Sequence, residues 1–182
     1  MPSEVAPGPH PRRSEPSGSG TALAIAACVV IAAGVGAAVW MMHPRYAHKW
    51  TLIDLEVYRA AGSALWHRQS VYGPYVADRL AVPLPFIYPP VAALIALPAT
   101  AMGASAAAIA WTSLTVGLVA YIVRRCFAPV IDEYGPIAWI LATGAVVAST
   151  PVQEHLRFGQ VGVVLLACVI ADCLGQIGRA HV

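Results

Sequence analysis

Charge is what this sequence has least of. Only 11% of its 182 residues are Asp, Glu, Lys or Arg, and 58% are hydrophobic. A soluble domain carries about 25% charged residues. The shortage excludes a disordered chain, a coiled coil and an ordinary soluble enzyme. Eleven Lys and Arg against nine Asp and Glu leave a net charge of +2. That field is too weak for a nucleic-acid binder, so no nucleic acid is expected as a partner. The chain also lacks a C-x-x-C pair, an H-x-x-x-H or D-x-D pattern, a Gly-rich phosphate loop and a G-x-S-x-G elbow. No metal site and no cofactor are implied. No internal repeat occurs. The four cysteines, Cys28, Cys126, Cys168 and Cys173, stand singly and read as small apolar fillers.

What the chain has instead is long apolar blocks. Residues 1–20 are rich in Pro, Ser and Gly and read as a disordered tail. Thr21 to Met42 is then a 22-residue run without a charge, long enough to span a bilayer and too long for a signal peptide's core. Arg12 and Arg13 ahead of it favour a cytoplasmic N-terminus. Further apolar blocks cover 86–102, 104–123, 136–150 and 161–174. The expected class is an all-α, polytopic transmembrane protein of the cell membrane, in contact with membrane lipids.

Residues 43–85 form the longest polar stretch, an external loop under this reading. Within it Leu52 to Arg68 has helical periodicity in Ile53, Val57, Ala60, Ala61, Ala64 and Leu65. Thr51 is the expected N-cap, with Asp54 at N3 completing a capping box. An amphipathic helix there would lie along the membrane interface, where Trp50, Tyr58, Trp66, Tyr72 and Tyr75 suit the depth. In the block 86–102, Pro89 and Pro90 fit a helix's first turn and Pro98 would kink or end it.

Two topologies compete. If every block crosses, which is the first expectation, Arg45, Lys49, Arg59, Arg68, Arg79, Arg124 and Arg125 all lie outside, against the positive-inside rule. If instead 86–102 enters and returns on one side, Arg124 and Arg125 become cytoplasmic. The polar break 151–160 then faces the same side as Asp54.

Three clusters could carry chemistry. Asp54 sits four residues before Tyr58, so both share a helix face. A carboxylate at the lipid–water boundary can take a proton from a sugar hydroxyl, although a capping or solvated Asp would look the same. Glu56 lies on the other side of the helix, solvated or paired with Arg59. Tyr88, Pro89 and Pro90 form a rigid aromatic corner, equally an ordinary helix start. Glu154, His155, Arg157 and Gln160 form a polar cluster between apolar blocks, functional candidates by position and equally the residues any short loop needs.

The string Asp54-Leu-Glu-Val-Tyr58, then Val71-Tyr72, then Phe86-Ile-Tyr88-Pro89-Pro90, then Gly159-Gln160 opening an apolar block, resembles glycosyltransferase family 87 over about 50 to 175. Those are GT-C-type membrane enzymes, known mainly from actinobacteria, that use polyprenyl-phosphate-mannose to extend cell-envelope glycolipids. The resemblance implies a polyprenyl-phosphate-sugar donor, a lipid-linked or polysaccharide acceptor and an extracytoplasmic active face. It implies Asp54 as catalytic base and Tyr58 and Tyr88, with Gln160, as substrate-binding residues. Arg59, His155 and Arg157 are then candidates to stabilise the departing phosphate. Members of the family have many more membrane helices, so 21–176 reads as the N-terminal part of a GT-C-like domain. Ile177-Gly-Arg-Ala-His-Val182, back-translated, matches a sequencing adapter and is expected to be artefact. The competing reading is a small non-enzymatic membrane protein, a transporter subunit or an assembly scaffold.

Overall fold

The computed structural model describes residues 18–42, 51–77 and 82–179. The expectations for the tail up to residue 17, for Arg45, Lys49 and Trp50, for Arg79 and for 180–182 lie outside the described residues.

Seven helices and one short ribbon make up the described chain. They are α1 (Gly18–Met42), α2 (Ile53–Trp66), β1 (Pro74–Ala77), β2 (Val82–Pro85), α3 (Pro90–Thr100), α4 (Ala104–Cys126), α5 (Ala128–Val147), α6 (Thr150–Phe158) and α7 (Gly162–Arg179). The helical class stands. The antiparallel pair β1–β2, with Pro74 opposite Pro85, is an addition that apolar-block counting cannot see. Helix α1 already begins at Gly18, inside the stretch expected to be disordered.

Helix α4 is the axis of the molecule. Gly34 of α1 comes so close to it that a Cβ there would lie 3.1 Å from Val116 Cβ. Small residues allow such backbone approach in membrane helices. On its other side Trp139 of α5 donates its indole N–H to the Ala120 carbonyl at 2.9 Å. These contacts sit in one core of Ala26, Val30, Val116, Val119, Ala120, Val123, Ile131, Trp139, Leu156 and Val163. A second core, around Leu55, Tyr58, Ala61, Phe86, Ala92, Ala93, Ala96 and Trp111, joins α2 and α3 to the first half of α4.

Among the described residues two helices, α4 and α5, are long and apolar enough to cross a membrane, and the pair α6–α7, bent by 118°, would count as a third. Gly20–Gly34 of α1 and Pro90–Thr100 are shorter apolar helices. At 1.5 Å per residue the 11 residues of α3 reach about half of a hydrocarbon core. Pro98 removes a backbone donor near its end, and the helix stops two residues later.

The Leu52 N–H donates to the Arg157 carbonyl at 2.6 Å, so the start of α2 and the end of α6 share one end of the bundle. Between these two points of the chain lie α4 and α5, both of span length, and the shorter α3.

Other local expectations shift as well. Helix α5 is broken at Gly135 (φ 80, ψ −170) ahead of Pro136, a residue that disfavours helix just before it. The apolar segment expected at 136–150 is therefore the second half of a longer element, and α6 takes over at Thr150. Most of the polar break 151–160 is itself helix, α6, with Pro151 in its first turn and Ser149 at its N-cap position, the Ser149 hydroxyl donating back to the Val146 carbonyl. The α2 N-cap is Leu52, in the left-handed region at φ 58, not Thr51, which is buried outside the helix. All four cysteines are free and exposed, Cys126 as the last residue of α4, so they do not fill the core.

Candidate active site

The end of the bundle that joins α2 to α6 collects the ionisable groups. With Leu52 as N-cap, Asp54 falls at N2 and its carboxylate is turned toward the segment leading into α3. There Tyr88 O–H donates to Asp54 Oδ2 at 3.1 Å. Tyr88 is held by its neighbours in sequence: Pro89 and Pro90 set a fixed backbone ahead of α3. Its ring meets that of Tyr58 edge-on, with centroids 4.8 Å apart and planes at 80°. Tyr58 also packs on Phe86 at 6.5 Å and on Trp111 at 6.1 Å.

Tyr58 is fully buried. Its hydroxyl has no partner in hydrogen-bond geometry, and the polar groups acting on it are the Tyr88 hydroxyl, the Asp54 carboxylate and the Val161 backbone. The phenol is enclosed and under-satisfied. Burial pushes the phenols of Tyr58 and Tyr88 above their usual range, so both stay protonated.

A turn of defined chemistry brings in the third element. Gly159 adopts φ 74, and the Gly159 and Gln160 amides return to the carbonyls of Leu156 and His155 at 3.2 Å each. This is the Schellman arrangement, for which glycine is the usual residue. A Cβ on Gly159 would also lie 3.1 Å from Leu55 Cβ and 3.2 Å from Leu52 Cδ2, so the turn seats directly on the start of α2. The result places Gln160 where its side-chain amide acts on both Asp54 and the His155 ring. His155 Nε2 accepts the Val163 N–H at 3.2 Å.

Burial pushes the Asp54 carboxyl above the usual carboxylate range, opposed by the Tyr88 and Gln160 hydrogen bonds and by His155. Burial pushes His155 below the usual imidazole range, opposed by Gln160 and Asp54. A half-buried carboxylate with raised proton affinity, next to a neutral imidazole and a protonated phenol, is equipped to accept a proton.

The structure thus brings Tyr58, Tyr88, His155 and Gln160 to Asp54. It turns the two arginines elsewhere. Arg59 donates through Nε to the Ala99 carbonyl at 2.9 Å and through Nη2 to that of Met102 at 2.6 Å, closing the end of α3. Arg157 pairs with Glu154 at 3.2 Å, both side chains about half exposed, and stacks on Phe158 at 5.3 Å. Trp111 and the small residue Gly162 are parts of the site that sequence reading missed. Trp111 lies mid-block in an apolar helix with no local signal. Gly162, next to the Gly159-Gln160 pair, sits where a Cβ would come within 2.9 Å of His155 Cε1. Among the described residues no group of three His, Cys, Asp or Glu side chains could hold a metal ion.

The pattern defining glycosyltransferase family 87 matches residues 86–181, more than half of the chain. A polyprenol-phosphate-mannose-dependent alpha-(1-2)-phosphatidylinositol mannoside mannosyltransferase of Mycolicibacterium smegmatis is 30% identical over 181 residues, 90% of this chain and 40% of that protein. Its namesake in Mycobacterium tuberculosis is 29% identical over 76% of this chain and 35% of that protein. A pentamannoside mannosyltransferase of the same dependence, also from Mycobacterium tuberculosis, is 29% identical over 65% of this chain and 28% of that protein. The chain spans well under half the length of these curated relatives. No solved structure matches it. The chain belongs to glycosyltransferase family 87.

Proposed function

We propose that this chain carries the catalytic base of a membrane mannosyltransferase with a GT-C-like fold, taking mannose from a polyprenol-phosphate-mannose donor to a phosphatidylinositol-mannoside acceptor. The relatives named above carry that donor and that acceptor in their names. The observation that carries the reading is the Asp54 carboxylate, half-buried, bonded to Tyr88 and raised in proton affinity, at the polar end of an apolar bundle.

In this mechanism Asp54 takes the proton of an acceptor hydroxyl as its oxygen attacks the anomeric carbon. The bond from that carbon to the donor phosphate breaks, and polyprenyl phosphate leaves with the electron pair. Tyr88, His155 and Gln160 wall the space in which sugar and hydroxyl meet, with Tyr58 buried behind the Tyr88 ring. Arg157, half exposed on α6, is the cation offered to the departing phosphate, once Glu154 releases it. Arg59, committed to α3, acts on the substrate only through the scaffold. The active face is extracytoplasmic: with α4 and α5 as the two crossings between Leu52 and Arg157, Arg124 and Arg125 fall on the opposite side from Asp54, as the positive-inside rule favours.

The experiment is transfer of radiolabelled mannose in membranes carrying the full-length protein, wild type against Asp54→Asn. Loss of transfer with the protein present at normal level supports the reading. Transfer at the wild-type rate removes Asp54 as base.

A further inference from the structure

Asp54 lies between two flanks of different chemistry. On one, the Gly159 turn seats against Leu52 and Leu55 and carries α6 with His155 and Arg157. On the other, a row of rings leads away from the carboxylate. Tyr88, bonded to Asp54 at 3.1 Å, meets Phe86 with centroids 5.9 Å apart. Phe86 in turn meets Tyr72 at 6.0 Å, with the planes at 53°. Phe86 is 2% exposed and Tyr72 is 59% exposed. The row therefore runs from the packed interior of the site to open surface, and it ends there in a ring.

We propose that Tyr72 is an acceptor-binding platform: a non-reacting sugar of the acceptor glycolipid stacks on its ring while the hydroxyl of another sugar faces Asp54. This rests on the function proposed above and says where its acceptor lies. One face of a pyranose is a patch of C–H bonds, and such a positive patch packs on the negative face of an aromatic ring. Arg157, the cation offered to the donor phosphate, stands on the α6 flank, which leaves the ring flank to the acceptor.

The ring is held in place before any ligand arrives. The Tyr72 N–H donates to the Ser70 hydroxyl at 3.3 Å, and the preceding residue, Val71, is buried. Phe86, on which the ring rests, is itself packed at 6.5 Å against the buried Tyr58. A side chain ordered in advance adds little to the entropy cost of binding. The surroundings suit a sugar better than a lipid chain. His67, Arg68, Gln69 and Ser70, directly ahead of Tyr72, are all exposed, and their side chains can hydrogen-bond to hydroxyls. Trp66 is the contrast. It is 72% exposed and closes α2, about 18 Å along the helix from Asp54. It keeps the interfacial role that the sequence suggests for both aromatics.

The test measures mannose transfer by the full-length protein in membranes, with a phosphatidylinositol mannoside and with octyl mannoside, a single-sugar acceptor. Tyr72→Leu keeps apolar contact with Phe86 and removes the aromatic face. It is expected to raise KM for the phosphatidylinositol mannoside about fivefold, with kcat and donor KM held within about twofold and the KM for octyl mannoside unchanged. Tyr72→Trp retains a ring and should keep the acceptor KM at or below the wild-type value. That variant reports even if the leucine variant has a lowered melting temperature, and a raised KM there overturns the proposal. So does an unchanged acceptor KM in Tyr72→Leu, an equal rise for octyl mannoside or for donor, or the same rise in Trp66→Leu, which would trace the effect to the membrane interface. Equilibrium titration of the phosphatidylinositol mannoside onto Asp54→Asn, with and without Tyr72→Leu, reads the platform apart from chemistry. Weaker binding with the second substitution supports it, and equal binding sinks it while an inactive Asp54→Asn leaves the transferase reading standing. An active Asp54→Asn removes the base, and the titration still decides the platform.

Discussion

Tyr88 and Asp54, 34 positions apart in the chain, are joined by a hydrogen bond of 3.1 Å from the phenol to Oδ2. The bond locks the entry of α3 to the first turn of α2 and makes the phenol a donor to the Asp54 carboxylate. Tyr88→Phe keeps the ring contacts with Tyr58 and Phe86 and removes only that donor. Its transfer rate at neutral pH should fall about tenfold, and the acidic limb should move upward, because a bond that favours the charged carboxylate is gone. A pH–rate profile of the variant measures both.

Asp54→Asn should abolish transfer and leave the fold at least as stable as wild type. The sign follows from burial. The folded carboxyl has a raised pKa, so between its ordinary value and the folded value the native state binds more protons than the unfolded one. Stability therefore falls as pH rises through that window, and the penalty persists at neutral pH. A neutral amide escapes it. The loss of rate should be about a hundredfold or more, and thermal unfolding of the detergent-solubilised protein should show no drop in melting temperature.

Gly62 lies where α2 meets α3: a Cβ there would be 2.9 Å from Thr100 Cγ2 and 3.2 Å from the Ala93 carbonyl oxygen. Gly62→Ala gains about 1 kcal/mol of helix propensity but overpacks a close contact at a penalty of about 1–3 kcal/mol. The net expectation is a lower melting temperature. Adding Thr100→Ser, which removes the offending methyl and keeps the hydroxyl bonded to Leu97, should restore part of the loss.

Arg59 closes α3 with two hydrogen bonds to carbonyls, of 2.9 and 2.6 Å. Arg59→Met keeps most of the aliphatic stem and leaves both carbonyls without that donor. A destabilisation of about 1–2 kcal/mol is expected, with KM for donor unchanged, since the guanidinium does not face Asp54. Arg59→Lys should recover only part of it, because an ammonium lacks the planar fork. Melting curves and donor titrations decide this.

The side of each polar segment can be read by thiol labelling. Cys126, exposed at the end of α4, should react only from the face opposite to cysteines introduced as Gln69→Cys and Gln153→Cys in a background without the other native cysteines. Both of those positions are exposed and lie at the Asp54 end. Labelling of Gln69→Cys and Gln153→Cys from different faces would overturn the proposed pair of crossings, α4 and α5, between them.

The sequence alone determined the class and the candidates. Too little charge for a soluble domain and apolar runs of span length make a membrane protein in any fold, because the bilayer admits nothing else. Asp54 and Tyr58 at a four-residue spacing, the Tyr88-Pro89-Pro90 corner and the Gly159-Gln160 pair are local features, legible from propensity and backbone chemistry. Tertiary structure decided where they meet. Hydropathy treats the 17 apolar residues of 86–102 as one block, but only 11 of them are helix. Contacts between elements put 54, 88, 155 and 160 at one end of the bundle. The helix at 150–158 and the ribbon at 74–85 were invisible for the same reason: neither carries an apolar run, and each is stabilised by what it packs against. Spacing along the chain fixes which side chains share an element. Which elements share an end is set by contacts such as Leu52 N–H with the Arg157 carbonyl, which no periodicity encodes.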